Sequence, residues 1–419
     1  KPDFQKNVIA QGQDFFDIHA IHEHSPFKLF QSTIDGPLVE VRKQLKSYKP
    51  LYCNETAITS LNGEKFQAET FVKKLAFSWA RGSIGYTWYD LRNDGFNPGD
   101  PEHNYGMITN DFYPKAMYPA YNNAVRILRG KKFIRQMDIG SGAWMFLFGD
   151  DKEKVLVHWV EADNAPNQNL VAQNIIKGST TVDLMGNPEQ IIPIEGKAII
   201  SVGHTPSYIV IPGNNPDPAV EGQMISVDGP VFGLLGDKFT ISGTASNPVS
   251  GQPEMKLELV LPEGFSSEEK SKKIILSGKE GRKFSFSALA PKSMDISQGA
   301  RQSAKINYAF ADSWKGSIEV PISLAMKMDG GKMDDNLPNF TLASHGSVYN
   351  FSEKDPNMVN KGWNGPKDLS AKIWLGKNDG KLLMKVDVAD DVHCQKDKGP
   401  DIWKGDSIQF AIDPGHAED

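Results

Sequence analysis

Cysteine is nearly absent from this sequence: Cys53 and Cys394 are the only two in 419 residues. They fall in segments assigned below to different domains, so a disulfide between them is not expected. No metal-binding cysteine spacing is present either. No apolar run of about 18 residues exists, which excludes a helical membrane span. Basic charge is not in excess. The net charge of −6 gives no electrostatic reason to expect nucleic acid or an anionic membrane as partner. No glycine-rich phosphate loop follows any strand-like run, which argues against nucleotide binding. A signal peptide and an initiator Met are also missing. The start on Lys1 reads as a processed or truncated end, so the missing signal carries little weight on location.

What is present fits a folded, loop-rich, largely β chain. Hydrophobic residues make up 39% and charged residues 23%, with 38 Gly and 26 Pro. The length calls for about two to four domains.

Residues 1–130 alternate between two periods. "FFDIHAIHEH" (15–24) reads as a short strand with a polar exit. "TIDGPLVEVRKQLKSY" (33–48) reads as a helix with Pro37 in its first turn and Leu38, Val41 and Leu45 on one face. "KPLYCNE" is the next strand. "GEKFQAETFVKKLAFSWARG" (63–82) is a strong helix, with Phe66, Phe71, Leu75 and Trp79 near one stripe and Val72 and Ala76 beside it. "SIGYTWYDL" (83–91) is a third strand, and "YPAYNNAVRILRG" (118–130) a third helix that Gly130 can cap. That rhythm is the rhythm of parallel βα units. Three units do not close an eight-stranded barrel, so the region is expected to be the last part of a larger α/β domain.

From about residue 131 the pattern becomes all-β. "AWMFLFGDDKEKVLVHWVE" reads as a hairpin around Gly149-Asp150-Asp151. Short strands continue to residue 213 in a β-sandwich pattern. "PGNNPDPAVEG" (212–222) reads as a linker. Residues 222–328 carry strand signals spaced as in an immunoglobulin-like sandwich, and "MKMDGGKMDDNLP" reads as a second linker. Residues 334–419 alternate as strands and stop soon after Asp413, which reads as a second cut end.

The strand ends of the first region hold the chemistry. At one face of a parallel barrel these ends gather catalytic groups. The first strand supplies His19, His22, Glu23 and His24; the second Asn54 and Glu55; the third Tyr86, Trp88, Tyr89, Asp90 and Arg92. Glycoside hydrolysis fits such a set. It uses one carboxylate as nucleophile and one carboxylic acid as proton donor, about 5–5.5 Å apart in a retaining enzyme. Each group also has an ordinary structural reading. Glu55 alone is a solvated or ion-paired loop residue, His19 a packed core residue, Trp88 a core ring, and Arg92 with Asp94 a surface ion pair. "HAIHEH" also looks like a metal-ligand set, because alternate residues share a strand face. No open-site carboxylate motif lies nearby in sequence, so no metal is assigned.

These strand ends resemble the C-terminal third of the (β/α)8 barrel in the large clan of retaining glycoside hydrolases. "FDIHAIHEH" is similar to the clan's sixth strand, with His22 at the His position and His24 where Tyr is more usual. "KPLYCNET" is similar to the seventh strand, which ends on the nucleophile; this maps to Glu55. "GSIGYTWYDLRNDG" resembles the eighth strand with its sugar-platform Trp, here Trp88. "DPEHNYGMITNDFYPKAMYPAYN" resembles the loop and helix that follow, with Glu102 in a structural place. "TVDLMGNPEQIIPIEGKAIISVGHTPSYIVI" is similar to the β-sandwich that packs on many such barrels. The last segment is similar to family-nine-type carbohydrate-binding modules, through its "W-x-G-x-x-D-L-S-A", "V-x-D-D-x-H" and "W-x-G-D-S-I-Q" pieces.

The resemblance implies a multidomain α/β plus all-β chain. Residues 1–130 are the last third of the barrel, 131–213 its β-sandwich, 222–328 an immunoglobulin-like sandwich and 334–419 a partial carbohydrate-binding-module β-sandwich. It implies a retaining glycosidase of a plant- or algal-type glycan, secreted, periplasmic or on a bacterial cell surface. Glu55 is the expected nucleophile, with His22, His24, Asn54, Tyr86 and Trp88 as expected substrate contacts. The acid/base Glu of the clan lies on the fourth strand, so it is expected in an N-terminal part of the protein outside this sequence, and this chain alone is expected to be inactive. No cofactor is called for, beyond an allowance for structural Ca²⁺ in a β domain. Two alternatives stay open: a noncatalytic glycan-binding or adhesion protein with a degenerate barrel, and a purely structural last module with Trp363, Trp374 and Trp403 in its core.

Overall fold

A computed structural model describes residues 2–47, 49–140, 142–161, 167–229, 231–277, 281–292, 294, 301–327, 340–343, 365–378, 381–391, 395–396, 398–399 and 408. The first region begins with α1 (Pro2–Gly12), β1 (His19–Glu23), α2 (Phe27–Thr33) and α3 (Val39–Gln44). It continues with β2 (Leu51–Thr56), α4 (Glu64–Ala80), β3 (Ser83–Trp88) and α5 (Met117–Leu128). The strands form a parallel three-stranded sheet in the order β1-β2-β3. The expected strands and the helices α4 and α5 are present, and Gly130 takes the left-handed φ of +78° that suits a helix C-cap.

Two features differ from the expected pattern. α1 is an additional helix, and the helix expected from residue 33 starts at Phe27 instead. Pro37 therefore lies inside a continuous helical stretch, within a π-helical segment, Ile34–Leu38, that joins α2 to α3. Proline removes a backbone donor and clashes with the carbonyl four residues back, and a widened turn accommodates both.

The second region holds β4 (Lys132–Met137), β5 (Ala143–Gly149), β6 (Glu153–Val160), β7 (Gln168–Gln173), β8 (Thr180–Val182) and β9 (Pro188–Gln190). β10 (Lys197–Val202), β11 (Ser207–Pro212) and β12 (Ala219–Gln223) complete it. One sheet runs β4-β5-β6-β11-β8-β9 and the other β10-β7-β12. β12 falls in the stretch expected to be a linker; its residues pair with β7 instead.

β5 and β6 are buried along almost their whole length, and the two periods of their side chains explain why. Met145, Leu147 and Leu156 face the β10-β7-β12 sheet, in the core between the two sheets. Phe146, Phe148, Val155, Val157 and Trp159 point the other way and join the core under α2, α4 and α5. Side chains alternate across a strand, so a strand covered on both sides must be apolar at every position. Phe77 of α4 stacks edge-on to Trp144 at 5.6 Å, and Lys73 pairs with Glu161 at 2.8 Å. The sandwich thus braces the helix that runs behind β2.

Further along, β13 (Ile225–Val227), β14 (Val231–Leu234), β15 (Lys238–Ala245), β16 (Glu254–Val260) and β17 (Ser271–Ile275) begin another pair of sheets. β18 (Arg282–Leu289), β19 (Arg301–Phe310) and β20 (Trp314–Lys327) follow. One sheet runs β13-β15-β18, and the other starts β17-β16-β19-β20. Strict burial alternation in β16 and β18 gives each a single core face.

β21 (Phe340–Leu342), β22 (Leu369–Asn378) and β23 (Lys381–Asp390) extend that sheet. Trp374 is fully buried in the core shared with β15, β16 and β19, so it is a core ring. Trp363, Trp403, residues 328–338 of the second linker and all of the "W-x-G-D-S-I-Q" piece but Ile408 lie outside the described residues. No helix among the described residues is long and apolar enough to cross a membrane.

Candidate active site

Three side chains meet at the C-terminal ends of β1 and β2. Along this pair Ile21 faces Cys53, but His22 faces Glu55, so Asn54 is an unpaired, bulged residue. A bulge re-aims the side chains that follow it. Here it sets Glu55 level with His22. Glu55 Oε1 lies 3.3 Å from His22 Nε2 and 3.2 Å from His24 Nε2. The two imidazoles stack at 4.8 Å with 15° between their planes. Glu55 is 37% exposed and His22 59%, while His24 is more enclosed.

Aromatic rings hold His24 from behind. Tyr89 stacks on it at 5.8 Å and Tyr105 meets it edge-on at 5.5 Å. Burial lowers the His24 pKa, the neighbouring His22 lowers it further, and Glu55 pulls it up. The Tyr105 loop is fixed by several donors. Gln67 Nε2 donates to Tyr105 O at 3.0 Å, and Trp88 Nε1 donates to the same oxygen at 3.2 Å. Lys115 Nζ donates to Asn104 O at 3.1 Å and lies 3.3 Å from Asn93 Oδ1, which accepts from Gly106 N at 2.9 Å. Gly106 is required here: a Cβ would sit 2.2 Å from the backbone nitrogen of Asn93.

Lys74 of α4 lies under the strand ends with no exposed surface. Its Nζ donates to Ala57 O at 2.9 Å, Glu23 O at 3.3 Å and Thr56 Oγ1 at 3.3 Å, next to both His24 and Glu55 in the chain. Burial brings its pKa down to about 7.

Of the expected contacts, Glu55, His22 and His24 come together, and Asn54 is exposed beside them. Trp88 is a correction. It is only 7% exposed, packs edge-on against Phe71 at 5.6 Å and spends its N–H on Tyr105 O, so it offers no open ring face for a sugar. Tyr86 is a second correction. Its hydroxyl is buried beside Thr56, closed off from solvent and with no aligned hydrogen-bond partner among the described residues. The rings that do lie against His24 are Tyr89 and Tyr105. His19 is packed at the other end of β1, 3.4 Å from Arg42.

No family model matches the sequence, and no curated protein matches it. Solved structures do. A family 39 glycoside hydrolase from the gut symbiont Bacteroides cellulosilyticus WH2 is 22% identical, with 49% of this chain and 46% of that chain covered and a TM-score of 0.39. An Anoxybacillus α-amylase is 15% identical, with 51% and 56% covered and a TM-score of 0.30. A γ-CGTase from alkalophilic Bacillus clarkii is 12% identical, with 92% and 64% covered and a TM-score of 0.27. The chain spans less than two thirds of the length of each.

Asp90 follows β3 and is half-buried, with Oδ1 unpartnered among the described residues. Desolvation first, and Asp94 second, push its pKa up to about 6. The protonated form is therefore favoured in the folded state. Its stabilising effect is complete below the ordinary carboxylate pKa and is lost as pH rises through about 6. Asp90→Asn is expected to raise the melting temperature by about 2 °C at pH 8 and to leave it unchanged at pH 4. Equal shifts at both pH values, read by thermal denaturation, would remove Asp90 as the titrating group.

Proposed function

We propose that this chain is part of a retaining glycoside hydrolase in which Glu55 is the nucleophile. The observation that carries this is a carboxylate at a parallel strand end, with two stacked imidazoles against one of its oxygens and solvent on its open side. The same geometry favours a nucleophile that stays aimed. A Glu55 oxygen attacks the anomeric carbon as the glycosidic C–O bond breaks, giving a glycosyl ester. The leaving oxygen takes its proton from a carboxylic acid on an earlier strand, outside this sequence, as the resemblance to the retaining clan implies. Water then cleaves the ester. In this reading His22 and Asn54 hydrogen-bond sugar hydroxyls, and His24, 3.2 Å from Glu55 Oε1, orients the nucleophile.

Residues 1–130 are read as the closing third of the barrel, with the following sandwich as its brace. A plant- or algal-type glycan is the proposed substrate, met outside the cell or at its surface. The test is covalent labelling of the full-length protein with a panel of 2-deoxy-2-fluoro glycosides of gluco, xylo, galacto and manno configuration. The expected adduct lies on the peptide carrying Glu55. An adduct on any other carboxylate ends the assignment, and no adduct across the panel favours a noncatalytic glycan-binding role.

A further inference from the structure

We infer that His22, His24 and Glu55 form a binding site for a divalent transition-metal ion of the zinc type, and that the ion competes with the sugar for Glu55. The second half rests on Glu55 being the nucleophile; the site itself does not.

The three ligand atoms all lie within 4.8 Å of one another. Zinc binds imidazole nitrogen and carboxylate oxygen at about 2.0–2.2 Å in tetrahedral geometry, which separates neighbouring ligand atoms by about 3.3 Å. Two of the three edges already have that length, at 3.3 Å from His22 to Glu55 and 3.2 Å from His24 to Glu55. The two imidazoles stack nearly parallel, at 15°, so the exposed His22 ring must turn out of the stack for both Nε2 lone pairs to converge on one ion. Two imidazoles and one carboxylate suit zinc, copper, nickel or cobalt, whereas magnesium and calcium prefer all-oxygen shells. Three protein ligands leave a fourth position facing solvent.

His24 gives a second, independent indication. Its Nε2 is buried and has no aligned hydrogen-bond partner among the described residues, although Glu55 Oε1 is 3.2 Å away. An ion seated between these two atoms satisfies both. The ring cannot swing out to find water, because Tyr89 and Tyr105 flank it. In sequence, "HAIHEH" offered alternating histidines without a nearby carboxylate motif. The bulge at Asn54 supplies the carboxylate from the neighbouring strand.

A bound ion would draw on the Glu55 lone pair that attack requires, so turnover falls when zinc binds and returns when EDTA removes it. The direct experiment is titration of the EDTA-stripped chain with Zn²⁺, followed by calorimetry, with Co²⁺ absorption as a geometric readout. Expected are one Zn²⁺ per chain and visible cobalt bands of a four- or five-coordinate site. His24→Gln, Glu55→Gln and the surface change His22→Asn should each weaken zinc binding by at least about 10-fold. His204→Ala, at an exposed histidine after β10, should not. The cobalt spectrum should be lost with the same three variants. Zinc affinity unchanged in all three, or no stoichiometric binding to the wild-type chain, overturns the site. Zinc binding with no glycosidase labelling at Glu55 keeps the site and removes the competition. Labelling at Glu55 with no zinc binding removes the site and leaves the nucleophile in place.

Discussion

Glu55→Gln in the full-length protein should lower turnover by about 10⁴-fold or more with little change in KM, because it removes the nucleophile and keeps its size. The amide keeps its place beside His22 and His24, so ground-state binding survives. It cannot form the glycosyl ester, so the covalent route closes. Glu55→Ala goes further by opening space at the end of β2. With an activated aryl glycoside and added azide, this variant should recover turnover and release a glycosyl azide of inverted configuration. A purely structural glutamate would not produce that product. If Glu55→Gln hydrolyses aryl glycosides as fast as the parent, the nucleophile lies elsewhere.

The parallel βα rhythm of the first region was legible because each element has a clean period and a clear stop. Phe71, Leu75 and Ala76 mark one buried face of α4, and Gly130 ends α5 where a left-handed residue is needed. α2 was not legible. Pro26 and Pro37 both look like breaks in sequence, and only a π turn lets the helix continue past the second. The apolar runs of β5 and β6 showed a hairpin but not its neighbours. That both faces are covered, one by a sheet and one by α4, is a tertiary fact.

The site divides in the same way. Residue type and strand-end position pointed to Glu55, His22 and His24. The bulge that brings them level did not show, because "YCNET" alternates no differently from an unbulged strand. Trp88 looked like a platform because exposure of a ring depends on what folds over it, and here the Tyr105 loop does so. Tyr105 itself carries no local signal. Lys74 did carry one: a cation among Phe71, Leu75 and Phe77 on the buried side of a helix is either a fault in the stripe or a buried donor with a purpose.

Lys74→Met tests that purpose, and its effect should grow with pH. The variant keeps the length of the side chain against Phe30, whose ring centroid is 5.0 Å from Nζ. It deprives Ala57 O and Glu23 O of a donor; Thr56 Oγ1 already donates to Glu23 O at 2.9 Å, so the Ala57 carbonyl loses most. An unsatisfied buried carbonyl costs about 1–3 kcal/mol. Against this, wild type carries the cost of burying an ammonium. Its pKa falls from 10.5 unfolded to about 7 folded, so the unfolded chain binds more protons across that window and wild-type stability rises with pH there. Methionine has no such slope. Below about pH 7 the two costs offset and the variant should lose little. Between pH 7 and 9 the gap should widen by about 1 kcal/mol per pH unit, as urea denaturation of the unit around β1–β3 would read. A gap that is the same at pH 6 and pH 9 would mean that Lys74 stays charged in the fold, and that the strand ends beside His24 and Glu55 are held by a fixed cation.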